Sequence, residues 1–236
     1  MKSLFPDELL DRIRRNAVVA VLTIEAAEDA VPTARALLEG GISVMELTLR
    51  TATALDSLQA IRKHVPEMIA GIGTVLRPDQ VDSVIQAGAS FGVSPGLNPA
   101  VVRRALDRKL PFAPGVMTPS DIELALELGC RDLKFFPAEP AGGLTMLASL
   151  RAPFAHLGVE FIPLGGVSAA NMTEYLRTPG VLAVGGSWLA KPEDIRQKNW
   201  VGIRKRAAEA REQADSSGTA RSFFSGSTTS AARISK

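Results

Sequence analysis

Short apolar runs alternate with amphipathic helical stretches along nearly the whole chain. The runs with strand character are AVVAVLT (17–23), SVMELTL (43–49), MIAGIG (68–73), SFGVS (90–94), LPFAPG (110–115), DLKFFP (132–137), EFIPLGG (160–166) and VLAVGG (181–186). Apolar residues at helical spacing fill the intervals 27–41, 54–65, 77–89, 98–109 and 118–130. Several of these open with Pro or an acidic residue and end at Gly, the capping asymmetry expected of helices.

Eight strand–helix repeats predict an α/β protein: a (β/α)8 TIM barrel in a single domain over 1–214, with an extra N-terminal helix and a C-terminal helix. A doubly wound sheet is the fallback, but no GxGxxG follows the first strand. A charged helix is expected near 193–214. After it, DSSGTARSFFSGSTTSAARISK (215–236) has no period and is rich in Ser, Thr and Gly, the composition of a disordered tail. Phe223 and Phe224 are its one hint of a docking segment.

Composition narrows the function. There are 27 basic and 25 acidic residues, a formal charge of +2, and no basic stripe with interleaved aromatics, which argues against nucleic acid. No run approaches membrane-spanning length, and the acidic, helical start does not read as a signal peptide. The single cysteine, Cys130, precludes an intramolecular disulfide and fits a reducing, cytoplasmic setting. It follows Gly129 at a helix end, where a small buried residue is expected. The two histidines, His64 and His156, stand alone, so no metal site and no cofactor are expected.

Strand alternation brings polar residues onto one face. In VMELTLRT, Glu46, Thr48 and Arg50 share a face, while Met45, Leu47 and Leu49 share the other. The apolar set should pack on helices, which sends the polar set to the barrel axis. In DLKFFP, Leu133 and Phe135 point one way, Lys134 and Phe136 the other. Lys134 is then either the structural partner of an inward carboxylate such as Glu46 or a reactive amine. Beside Arg50 and partly removed from water, its pKa should fall, which favours a nucleophile that forms Schiff bases with carbonyls. PLGGVSAAN (163–171) and VGGSWL (184–189) put glycine pairs in the loops after the last two strands, where barrels of this kind bind phosphate.

ELTLRT, GIGTVL, SPGL, LKFFPAE followed by Gly142 and Gly143, GGVS and GGSWL stand in the order and spacing of a known family. Residues 5–210 resemble bacterial 2-keto-3-deoxy-6-phosphogluconate (KDPG) and 4-hydroxy-2-ketoglutarate (KHG) aldolases, class I enzymes of the Entner-Doudoroff pathway that assemble as homotrimers. The resemblance implies that Lys134 is the Schiff-base lysine and Glu46 the general acid/base. It implies a pyruvyl pocket of Arg50, Thr74, Pro95 and Phe136, and phosphate contacts from Gly165, Gly166, Gly186 and Ser187. At Leu164, counted with that pocket, the chain departs from the family's usual Thr, and the galactonate-specific relative has Val there. TLRT, SPGL and KFFPAE favour the gluconate substrate, with its C4 epimer as the alternative. The rival readings are a phosphosugar isomerase or epimerase, with Lys134 as an anchor, and a non-catalytic phosphosugar-binding barrel.

Overall fold

A computed structural model describes residues 3–218. The stretch from 219 onward, with Phe223 and Phe224, lies outside the described residues. Among these there are nine strands: β1 (Val18–Leu22), β2 (Val44–Thr48), β3 (Ile69–Gly73), β4 (Gly92–Val93), β5 (Phe112–Ala113), β6 (Gly115–Val116), β7 (Asp132–Phe135), β8 (Glu160–Pro163) and β9 (Val184–Gly186). All pairings between them are parallel, in a six-stranded sheet ordered β5-β4-β3-β2-β1-β9 and a three-stranded sheet ordered β6-β7-β8.

The α/β expectation holds, with the parallel sheet curled as a half-barrel, but the hydrogen-bonded ladder is less continuous than one uninterrupted barrel. The predicted fifth strand splits at Pro114, which has no N–H to donate. Its carbonyl still accepts from Lys134 N at 3.0 Å. Between β8 and β9 the link is two isolated bridges, Phe161 with Val181 and Leu164 with Gly185.

Helices begin where the local chemistry allows. Thr118 accepts from Asp121 N while the Asp121 carboxylate accepts from Thr118 N, a reciprocal cap ahead of Pro119. Asn98 and Asn199 cap the helices Pro99–Asp107 and Trp200–Ser216 in the same manner, accepting from Ala100 N and Gly202 N. The predicted C-terminal helix is two, Pro192–Arg196 and Trp200–Ser216. Among the described residues no helix is long and apolar enough to cross a membrane.

Two apolar cores follow from strand alternation. Met45, Leu47, Leu133, Phe135 and Phe161 face the helices, and Cys130 is buried with them. Burial pushes its thiol up to about 12, which keeps it protonated and inert. The second core lies inside the curl of the sheets: Val19, Val44, Ile69, Phe91, Val93, Ala113, Ile162 and Leu182. The N-terminal segment closes this core at the pole where strands begin, because Phe5 and Ile13 of the segment and of helix Asp7–Asn16 pack into it. Burying each is worth roughly 1.5–3 kcal/mol.

A polar cluster marks the same pole. Asn16 donates to Val18 O and accepts from both N and Oγ of Ser43, tying β1 to the approach to β2. Arg14 forms a two-pronged ion pair with Glu160, at 2.7 and 2.6 Å. Asp132 sits opposite Glu160 in the β7–β8 register, buried, with Ser3 Oγ donating to it. Burial raises the Asp132 pKa above the ordinary carboxylate value, the Ser3 hydrogen bond opposes the rise, and Glu160 adds to it. A folded-state pKa above the unfolded one makes the stabilising contribution complete below the unfolded value, near pH 4, and lost as pH rises through the folded value. Asp132→Asn keeps an oxygen for Ser3 and removes the charge. Its melting temperature should exceed wild type at pH 7, with the advantage vanishing near pH 4; equal melting curves at pH 7 would refute this.

Candidate active site

At the opposite pole, where strands end, the sheets surround a cavity of about 440 Å³. Lys134, Glu46, Arg50, Thr74, Pro95, Phe136, Leu164, Gly165, Gly166, Gly186 and Ser187 all line it. The candidate catalytic, pocket and phosphate residues are therefore brought to one place. The alternation rule explains why: Glu46 and Thr48 point inward from β2, and Lys134 does so from β7.

Lys134 and Glu46 form the floor. The ammonium donates to Glu46 Oε1 at 3.0 Å and approaches Oε2 at 3.4 Å. Only 6% of Lys134 and 2% of Glu46 is exposed. The Phe136 ring adds a face to the lysine, its centroid 5.3 Å from Nζ. Beneath the pair lies a small space with apolar lining from Phe5, Phe91, Val93, Ala113 and Ile162. A structural ion pair has no need of an open cavity above it; a reactive amine does. Lys134 lies at an open cavity, which is compatible with a reactive amine.

The wall above β2 is tied together by hydroxyls. Arg50 Nη2 donates to Thr23 Oγ1 at 2.9 Å, and Thr23 Oγ1 meets Thr48 Oγ1 at 2.9 Å. Thr51 and Thr53 hydroxyls both donate to Ile24 O, which locks the loop carrying Arg50 against the end of β1. The exposed guanidinium thus has a fixed origin and a free face toward solvent. Thr74, directly after β3, holds φ at 63°, a left-handed conformation that a β-branched residue adopts at a cost of roughly 1–3 kcal/mol. Strain of this kind is concentrated at functional sites.

The facing wall consists of the two glycine loops. Leu164 O accepts from Ala138 N at 2.7 Å and Gly165 O from Glu139 N at 2.9 Å, so this loop rests on the segment after β7. Gly166 has φ of +87°, and a Cβ there would come within 2.5 Å of Glu139 Cβ. The fully buried Tyr175 donates its hydroxyl to Glu139 Oε1; burial first, and then this bond, raise the phenol pKa. The helices after the loops, Met172–Arg177 and Pro192–Arg196, are one to two turns long. Any anion held here is held by loop N–H groups rather than by a long helix dipole.

Sequence reasoning missed Thr23, Val21, Val167, Gly185 and Pro192 in the lining. Thr23 was legible in principle, since it is a polar residue ending a predicted strand. Gly185 belongs to the glycine pair of VGGSWL without a role assigned to it, and Val21, Val167 and Pro192 are apolar and carry no chemical signal.

Comparison with known proteins agrees with this geometry. A KHG/KDPG aldolase of Escherichia coli is 44% identical over 197 residues, spanning 84% of this chain and 92% of the relative. A 2-dehydro-3-deoxy-phosphogluconate aldolase of Treponema pallidum is 45% identical over 188 residues, 80% of this chain and 87% of the relative. Among solved structures, a KDPG aldolase of Legionella pneumophila, with pyruvate captured as a covalent carbinolamine intermediate, superposes with a TM-score of 0.81. It is 37% identical, over 85% of this chain and 97% of that one. The family model for KDPG and KHG aldolase matches residues 9–206, and with relatives this similar over most of its length the chain belongs to that family.

Proposed function

We propose that the chain cleaves 2-keto-3-deoxy-6-phosphogluconate to pyruvate and D-glyceraldehyde 3-phosphate by a class I mechanism, and also cleaves 4-hydroxy-2-ketoglutarate to pyruvate and glyoxylate. The observation that carries the reading is a lysine ammonium 3.0 Å from a buried carboxylate, on the floor of an open cavity with glycine loops on its far wall. The names of the Escherichia coli and Treponema relatives support the substrate class.

In the proposed reaction Lys134 yields a proton to Glu46 and its free amine attacks the C2 ketone. Glu46 returns that proton to the carbinolamine hydroxyl, which leaves as water to give an iminium and restores the carboxylate. Glu46, directly or through one water, takes the C4 hydroxyl proton; the C3–C4 bond breaks and its electrons enter the iminium. The aldehyde departs, the enamine is protonated at C3, and hydrolysis releases pyruvate and the free lysine. Arg50 holds the substrate carboxylate with Thr74, Thr23 sets the guanidinium, and Pro95 and Phe136 confine the pyruvyl group. Gly165, Gly166, Gly186 and Ser187 take the phosphate. The glycine loops also suit an isomerase or a simple phosphosugar binder, and the aldolase relatives are what favour cleavage over both.

Leu164 favours a second reading on one point. It is apolar where the C4 hydroxyl needs recognition, which keeps the C4 epimer, 2-keto-3-deoxy-6-phosphogalactonate, as the alternative. We propose further that β5 and β6, contiguous across Pro114, and the two isolated bridges, Phe161 with Val181 ahead of β9 and Leu164 with Gly185 in β9, complete an eight-stranded closure. A cytoplasmic homotrimer accords with the family, and exposed Leu76 and Met117, on loops at the cavity pole, offer apolar surface for subunit contact.

A lactate dehydrogenase-coupled assay with both epimers tests the substrate, and a larger kcat/KM for the galactonate would reverse the assignment. Borohydride with pyruvate should modify the Lys134 peptide in wild type; an unmodified peptide refutes the Schiff base. Lys134→Ala should show no turnover, and Glu46→Gln should lose about 10²–10⁴ in kcat, the usual worth of general acid/base help. Thr23→Val leaves Arg50 without its anchor, so KM should rise about fivefold, roughly one hydrogen bond's worth, with kcat held. Gly166→Ala should raise KM for the phosphorylated substrate while sparing 4-hydroxy-2-ketoglutarate, which has no phosphate. Equal effects on both would remove Gly166 from the phosphate site.

A further inference from the structure

The carboxylate of Glu46 has a seat, and the seat is an absent side chain. In the parallel β2–β3 register Glu46 pairs with Gly71 and Thr48 with Gly73. Alternation puts Gly71 and Gly73 on the inward face of β3, the face that Glu46 and Thr48 occupy on β2. After Ile69, the two later inward positions are glycine, and each leaves room for something different. A Cβ on Gly71 would strike the Phe91 ring, part of the interior core. A Cβ on Gly73 would overlap Oε1 of Glu46 and stand 2.5 Å from Cδ and 2.8 Å from Cγ. Separations under about 3 Å between such atoms do not occur in relaxed structures, so a methyl group here displaces the carboxylate.

The displaced atom matters, because Oε1 is the oxygen that receives the Lys134 ammonium at 3.0 Å. The side chain leans along its strand by one inward position and lies across Gly73, under the cavity. No flexible neighbour could yield in its place, since the whole group is 2% exposed and its other oxygen is also within 3.4 Å of Lys134. Gly73 itself does not hold a positive φ. The backbone dihedral there admits an alanine, and the three atoms nearest to its Cβ all belong to the Glu46 side chain. The next residue, Thr74, is the strained lining residue, so the strand ends by vacating volume and then turning a hydroxyl-bearing side chain toward the same site.

We propose that Gly73 is a positioning residue for catalysis: the volume it leaves empty holds the Glu46 carboxylate against Lys134. The proposal rests on Glu46 being the proton-transfer group. A general base misplaced by about an ångström loses much of its effect, because proton transfer needs hydrogen-bond reach.

The test is a double-mutant cycle on purified full-length protein, read by coupled pyruvate release with 2-keto-3-deoxy-6-phosphogluconate. Gly73→Ala should lower kcat by about 10²-fold or more, with KM within about threefold of wild type. On a Glu46→Gln background the same change should cost less than about threefold, since the group it displaces no longer works; coupled pairs deviate from additivity in this way. Gly73→Ala activity within about threefold of wild type overturns the proposal. So does a loss on the Glu46→Gln background as large as the loss on wild type, which would mark general damage to the fold. Near wild-type activity in Glu46→Gln alone overturns the assignment of Glu46, and this inference with it, and that outcome is distinct from the other two. Should Gly73→Ala fail to fold, Gly73→Ala/Glu46→Ala decides: a folded double variant places the conflict at Glu46, and an unfolded one overturns the proposal.

Discussion

An ammonium and a carboxylate withdrawn from water must satisfy each other, or each costs several kcal/mol in lost hydration. Lys134 and Glu46 meet that demand from strands far apart in the chain, at positions separated by 88 in sequence. The rest of the architecture is arranged around the contact. Parallel strands curl so that β2 and β7 face each other, glycines on β3 and β9 thin the inner wall, and the Phe136 ring covers the amine without hydrogen-bonding it. A pair like this adds little net stability compared with apolar packing, so its presence argues for use rather than for strength.

Stability is supplied elsewhere. The helix-facing core, the interior core and the N-terminal plug of Phe5 and Ile13 are apolar and lie away from the open pole. The polar cluster of Asn16, Ser43, Arg14, Glu160 and Asp132 belongs to the closed pole. Such a division lets strand beginnings answer for folding while strand ends and their loops answer for chemistry.

Much of this was legible in the residues, for a definite reason. A side-chain period of two forces polar and apolar residues to opposite faces, so Glu46, Thr48, Arg50 and Lys134 announce a common interior once a parallel curl is assumed. Strand existence was readable; strand length was not. SFGVS and LPFAPG shrink to two-residue ladders because ladder hydrogen bonds depend on the neighbour's register and on Pro114, neither of which a hydropathy pattern encodes. Thr74 and Pro95 entered only through resemblance, and the strain at Thr74 is invisible in a one-letter code. Thr23 went unread because a threonine closing an apolar run looks like ordinary strand composition; its meaning appears only when Arg50 reaches back to it. Glycines pose the hardest case, since what matters at Gly73 is an atom that is not there.

Leu164 stands on the border between the two territories. One side of it lines the cavity, and the other packs in the interior core, against the space that Gly185 leaves for its methyl groups. A residue that lines the cavity on one side and fills the protein on the other answers to two demands at once. Exchanging it for a hydroxyl-bearing side chain to change stereochemical preference also removes hydrocarbon from a close-packed interior, where a deleted methyl is felt directly. Evolution of substrate choice at this position is therefore coupled to thermal robustness, and a change in preference here calls for a compensating substitution deeper in the sheet.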